Sequence, residues 1–347
     1  MIRFECDYAE GAHPQIMERL RETNLEQTKG YGEDEHCENA RRMLRCLCEC
    51  ESADVHFLVG GTQTNMTVIS SVLRSHQGVI AVETGHINVH ETGAIEATGH
   101  KVLALPGTNG KLTALQVENA FRAHWDDPNH EHVVQPGMVY ISNPTETGTL
   151  YSKRELQELS DVCRKNELPL FLDGARLGYG LVADNSDLTL PDIARLCDVF
   201  YIGATKVGAL FGEAVVITSD RLKKDFRYQM KQRGGMLAKG RLLGIQYEVL
   251  FGDGLYFEIS RHAVRMAMKI RDAFTTKNVA FLCDSSTNQQ FPILTEEQIS
   301  FLGQRYAFEY WCKIDEKQGA VRFCTSWATR EEDVDKLVND ICLFFKK

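Results

Sequence analysis

The sequence predicts an α/β protein: a mainly parallel sheet of seven strands with helices on both faces, followed by a smaller α+β unit. Three observations carry this. Short, almost wholly apolar runs alternate with amphipathic helical stretches over some two hundred residues, as strands covered on both faces require. The alternation breaks near residue 250, where a long helix is followed by short strands and a last helix. A chain of 347 residues also exceeds one core of usual size, which favours two domains. The expected division is a large domain over 1–250, including the N-terminal segment, and a small C-terminal domain over 251–347.

The candidate strands, in order, are VHFLV (55–59), VIAVE (79–83), KVLAL (101–105), MVYIS (138–142), LPLFL (168–172), DVFYIGA (198–204) and EAVVI (213–217). Runs this short and apolar suit buried strands. Helix starts are legible between them. Thr113 with Gln116, and Ser152 with Glu155, form capping boxes ahead of helical stretches, each side chain answering the other's free backbone N–H. The segment HWDDPNHEHVVQPG reads as a surface loop. Past residue 250, RHAVRMAMKIRDAFTTKN predicts a long amphipathic helix, and VAFLC and AVRFCTSW predict short strands. REEDVDKLVNDICLFFKK predicts a closing helix opened by Thr329 and Glu332.

Composition narrows the function classes. A net charge of -9 gives no electrostatic footprint for nucleic acid or an anionic membrane. An anionic ligand would therefore need a local site. No apolar stretch approaches the ~20 residues that span a bilayer. The start MIRFECDYAEG lacks the regions of a signal peptide, and the eleven cysteines form no repeating framework. Both point to the cytoplasm. Cys46, Cys48 and Cys50 alternate within a helical context, where they face different directions, so packing explains them better than metal.

Four constellations bear on chemistry. Gly60, Gly61 and Thr62 join an apolar strand to a helix; such a turn offers free N–H groups to a phosphate, or is an ordinary tight turn. Asp173 ends the strand LPLFL, where folds of this class place ligands, and Arg176 follows as a carboxylate fork or as its structural ion-pair partner. Lys206 ends DVFYIGAT among small and apolar residues, with nothing acidic within six positions. Desolvation there would lower its pKa and make it a Schiff-base candidate. His86 and His90, with Glu91, are open to three readings: a metal site, a cofactor-side or acid–base histidine, or plain structure.

Lys206, Asp173 and the Gly60–Asn65 turn together supply what pyridoxal phosphate needs: an amine for its aldehyde, an acid for its ring nitrogen and a seat for its phosphate.

From YGEDEHCENARRM through VGGTQTNM, GHINVHETGA, GKLT, LFLDGARL and GATKVGALFGEAVV to QRGGMLAKG and VRFCTSW, the chain resembles the low-specificity threonine aldolases and related β-eliminating lyases. These are pyridoxal phosphate enzymes of the aspartate aminotransferase-like fold, type I. The resemblance implies that Lys206 forms the internal aldimine, Asp173 meets the pyridine nitrogen and His86 stacks on the ring. It further implies phosphate binding by Gly61, Thr62 and Asn65, and substrate-carboxylate binding by Arg176 and Arg322, with Asp7, on the N-terminal wall of the site, also among the substrate-binding residues. His132, eleven residues before Asn143, resembles a second histidine that touches the substrate hydroxyl. Tyr31 as a substrate-binding residue and Lys239 as a cofactor-binding one resemble positions that reach a neighbouring subunit's site, which implies a homodimer or homotetramer. No metal is expected.

The implied activity is cleavage of threonine-like β-hydroxy-α-amino acids to glycine and an aldehyde. Cys6 in place of the family's usual serine, A-T-K-V-G around the lysine and SNPTETGTLY are departures, and GAHP and FGEA are closer to a phenylserine aldolase-like branch. The alternatives are another lyase or aminotransferase on this fold, a non-catalytic binding protein, and a metal or redox protein built on the cysteines.

Overall fold

The computed structural model describes residues 1–345. All seven expected strands form and share one sheet. After a two-residue strand at the N-terminus, Ile2–Arg3 (β1), these are Asp54–Leu58 (β2), Gln77–Val82 (β3), Lys101–Leu105 (β4), Gln135–Ser142 (β5), Leu170–Asp173 (β6), Val199–Gly203 (β7) and Glu213–Ile217 (β8). Their order across the sheet is β2-β8-β7-β6-β5-β3-β4. Only β8 runs against its neighbours, so the C-terminal ends of the other six and the first residue of β8 lie along one edge.

Strand alternation splits the core in two. Val139, Ile141, Leu170, Leu172, Phe200 and Ile202 face one layer of helices. Met138, Tyr140, Phe171, Val199 and Tyr201 face the other. Both expected capping boxes close, at Thr113–Gln116 and Ser152–Glu155.

A second sheet follows the 22-residue helix Leu255–Thr276. It is built from Gln289–Gln290 (β9), Ile293–Thr295 (β10), Glu309–Lys313 (β12) and Gln318–Cys324 (β13), with Tyr306–Ala307 (β11) beside it. Three sequence expectations change here. VAFLC forms a single bridge, Phe281 to Pro292, and otherwise packs as apolar filler on a third core. Thr329 does not cap the last helix, Glu331–Phe344: Arg330 holds that position, and the Thr329 hydroxyl accepts from the Ser326 N–H instead. The N-terminus also crosses the expected division at residue 250. β1 pairs in parallel with β11, and Phe4 packs in the third core beside Phe323 and Tyr306.

Among the described residues no helix is long and apolar enough to cross a membrane, and no group of three or more metal-ligating side chains gathers.

Candidate active site

The edge where the parallel strands end opens into a cleft of about 590 Å³ lined by Gly60, Gly61, His86, Asp173, Lys206 and Glu213, among others. A neighbouring cavity of about 690 Å³ shares His86, Glu146, Arg176 and Lys206 and extends to Trp311 and Arg322.

Asp173 sits on the floor at the end of β6. Its Oδ1 accepts from the Tyr201 hydroxyl at 2.5 Å and the Ala175 N–H at 3.0 Å. Its Oδ2 accepts from the Tyr140 hydroxyl at 2.6 Å and Asn65 Nδ2 at 3.2 Å. Burial alone would raise this carboxyl's pKa, but the neighbouring His86 and the donated hydrogen bonds outweigh it and hold the group below the ordinary range. The floor thus carries a fixed negative charge.

The network continues sideways. Asn65 Nδ2 also donates to Glu91 Oε1 at 2.7 Å, and the same oxygen lies 2.7 Å from His86 Nδ1. A carboxylate on Nδ1 fixes the proton there, which leaves Nε2 as the acceptor. The His86 backbone N–H donates to Glu146 Oε1 at 2.9 Å, and Ser142 donates to the same oxygen at 2.7 Å. Burial raises the Glu146 pKa.

Lys206 follows β7 in a turn whose carbonyl accepts from the Tyr179 hydroxyl. Burial lowers its pKa, and the positive charge of Arg176 adds to that, against Asp7, Asp173 and Glu213, which act in the other direction. Among the described residues it makes no ion pair. An amine biased towards its neutral form, in the same cleft as the aspartate, is a nucleophile in waiting.

Gly60 precedes the helix Gly61–Val72 without any side-chain cap, so the first-turn N–H groups remain available to an anion. A Cβ on Gly61 would come within 3.2 Å of the Tyr201 hydroxyl, so a larger residue would narrow this cradle. Beside it, Thr205 donates to Glu213 Oε1 at 2.8 Å. Amine, aspartate and uncapped helix end therefore fit pyridoxal phosphate in donor chemistry and in arrangement.

The two arginines differ. Arg176 is locked: Nε donates to Asp7 Oδ2 at 2.7 Å and Nη2 to Asp7 Oδ1 at 2.9 Å, with Asn288 also donating to Asp7. Arg322, on β13, donates from Nη1 to Gln289 at 3.2 Å and from Nη2 to the Glu5 carbonyl at 2.9 Å, and it pairs with Glu309. The N-terminal strap therefore braces both: Glu5 through its carbonyl, Asp7 through its carboxylate.

Several sequence expectations change position. Asn65 is fully buried behind the floor, bonded to Asp173 and Glu91, and is not part of the phosphate cradle. Asp7 has no exposed surface, pairs with Arg176 and lies outside the lining of either cavity, so it braces that arginine from behind. Arg176 keeps only the Nη1 side of its guanidinium outside the Asp7 fork. His132 lies in an exposed turn, His130–His132, outside the cleft lining. Tyr31 and Lys239 adjoin one another, since the Tyr31 N–H donates to the Ala238 carbonyl at 3.3 Å, but they too lie outside that lining. Lys206, Asp173, His86, Gly61, Arg176 and Arg322 do gather around the two connected cavities, with Thr62 in the first helical turn.

The residues that sequence reasoning missed are the supports: Tyr140, Tyr201, Glu146 and Glu213, and the role of Glu91. The available signal was polar tips and a carboxylate within strands that otherwise read as apolar filler.

A mainly parallel sheet, with an amine and a carboxylate at adjacent strand ends, defines a fold of the aspartate aminotransferase kind. Thermus thermophilus aspartate aminotransferase superposes with a TM-score of 0.74 at 13% identity, over 99% of this chain and 91% of that one, which shows the shared fold. The β-eliminating lyase family model matches residues 5–297, and the chain belongs to that family. It is similar to a solved structure of Leishmania major threonine aldolase, at 45% identity and a TM-score of 0.97 with complete coverage of both chains. It is also 29% identical over 344 residues to the low specificity L-threonine aldolase of Pseudomonas aeruginosa, covering 98% of this chain and 97% of the relative.

Proposed function

We propose that this chain is a pyridoxal phosphate-dependent aldehyde-lyase that cleaves threonine-like β-hydroxy-α-amino acids to glycine and an aldehyde. The observation that carries the reading is the hydrogen-bonded run from Asp173 through Asn65 and Glu91 to His86, set in one cleft with Lys206. It couples a fixed negative charge to an oriented imidazole beside a weakly basic amine. The threonine aldolase relatives support the same reaction.

When bound, the cofactor supplies an aldehyde for amines and a ring that accepts the electron pair left by bond cleavage. Lys206 would hold it, Asp173 would keep its ring nitrogen protonated, and the N–H groups at Gly61 and Thr62 would hold its phosphate. Arg322 would bind the substrate carboxylate, assisted by the free side of Arg176, and so set which bond at Cα stands perpendicular to the ring. His86 would take the β-hydroxyl proton at Nε2, with Glu91 stabilising the imidazolium that results. Tyr31 and Lys239 are assigned to contacts with a second subunit.

The test is to incubate the purified protein with pyridoxal phosphate and L-threonine, L-allo-threonine or phenylserine. Glycine and the matching aldehyde should appear in equal amounts. A keto acid in place of the aldehyde, formed by loss of water and ammonia or by transamination, would sink the reading.

A further inference from the structure

Arg322 has a competitor built into its own sheet. Glu309 on β12 lies directly opposite Arg322 on β13 in the antiparallel register, and the two side chains form an ion pair. The register slips between Tyr310 and Cys312, so Trp311 is the bulged residue. Bulges re-aim side chains next to sites, and here the Arg322 guanidinium carbon stands 5.4 Å from the Trp311 ring centre. Glu309, Trp311 and Arg322 all line the cavity that Lys206 and His86 also line.

The pair is lopsided. Arg322 is only 9% exposed and is anchored by Gln289 and the Glu5 carbonyl. The Glu309 side chain is 45% exposed and swings out to water at little cost. The pair is also incomplete, because Glu309 meets Nη2 while the buried Nε has no partner. Nε and Nη2 form the edge by which Arg176 grips Asp7 with two bonds. A carboxylate seated on that edge of Arg322 would gain one charge-assisted bond that Glu309 does not make.

We propose that Glu309 is an intramolecular stand-in for the substrate carboxylate, holding Arg322 while the cleft is empty and yielding it when an amino acid arrives. This rests on the reading that Arg322 binds the substrate carboxylate. It makes Glu309 a specificity-determining residue. Only a ligand carrying a carboxylate displaces it, and the fraction of molecules with Arg322 free scales the apparent affinity. The competitor is absent from the bound state, so turnover itself is unaffected.

The experiment compares Glu309→Gln, Glu309→Ala and Arg322→Ala with the unaltered holoenzyme. KM for L-threonine should fall about two- to fivefold in both Glu309 variants, the range expected for freeing one partly exposed ion pair, with kcat unchanged. The inhibition constant of 1-amino-2-propanol, which has the amine and hydroxyl but no carboxylate, should stay where it was. An unchanged or higher KM in both Glu309 variants overturns the proposal, as does an equal gain for threonine and the amino alcohol. Arg322→Ala separates the two levels. If it raises KM while the Glu309 variants do not lower it, only the stand-in role fails; if it leaves KM alone, the carboxylate assignment fails and takes this proposal with it.

Discussion

Asp173 lines one of two neighbouring cavities and Arg322 the other, and their surroundings differ in kind. Four donors surround the aspartate: Tyr140 and Tyr201 from the large sheet, Asn65 from a helix packed on it and Ala175 from the turn after β6. Around the arginine, one nitrogen is unpaired and one partner is half in water. A fully satisfied buried network is rigid and unforgiving. A partly satisfied pair at a rim can exchange partners. On the proposed reading, the floor would hold the cofactor, which stays, and the rim the substrate carboxylate, which comes and goes at each turnover.

The comparison can be broken at the floor first. Lys206→Ala should abolish both turnover and the cofactor that borohydride fixes covalently to the unaltered chain; a retained covalent adduct would place the reactive amine elsewhere. Asp173→Asn keeps the shape and removes the charge. It should cost about 10²- to 10³-fold in kcat, as other losses of preorganised charge stabilisation do, and also weaken cofactor retention on gel filtration. Near-normal turnover would show that the four donors, not the charge, are what the site needs.

A third prediction concerns Glu213, which shares the floor without belonging to its saturated network. Its Oε2 is buried and unpartnered. Burial pushes its pKa up to about 8, against the Thr205 hydroxyl and the Lys206 charge. The unfolded carboxyl ionises near about 4.3, so between there and pH 8 the unfolded chain releases a proton that the folded chain keeps. Stability therefore falls as pH rises across that window. Glu213→Gln cannot ionise and should flatten the slope. The cofactor-free variant should melt above the parent at pH 8 and close to it at pH 5, and a gap that fails to widen would place the proton elsewhere. The smallest effect lies far from both halves. Ser152→Ala removes one side of a capping box and should cost about 1 kcal/mol in a urea titration, leaving KM and kcat intact.

How much of this was legible in the sequence depended on whether the determinant was local. The strands of the large sheet and two capping boxes were readable because each is decided within a few residues by apolar runs or by an i, i+3 pair. Lys206 and Asp173 were readable as charges at the ends of apolar strands. Asn65 was misplaced because its partners lie 26 and 108 residues away, and Asp7 because Arg176 is 169 residues on. Tyr140 and Tyr201 read as strand filler, since the hydroxyl that matters is a single polar atom on a buried ring. VAFLC was misread in the other direction. Its apolar pattern is the same whether it pairs in a ladder or fills space against the helix Leu255–Thr276.

The strap from Ile2 to Asp7 has a practical corollary. It zips onto β11, sends a carbonyl to Arg322 and ends in the carboxylate that grips Arg176. Trimming the first few residues is a routine edit when proteins are prepared for crystallisation or immobilisation, because chain ends are commonly dispensable. In this chain that edit would remove a working part. Both cavity-lining arginines would lose a brace at one stroke, so tags and cut sites are better kept clear of this end.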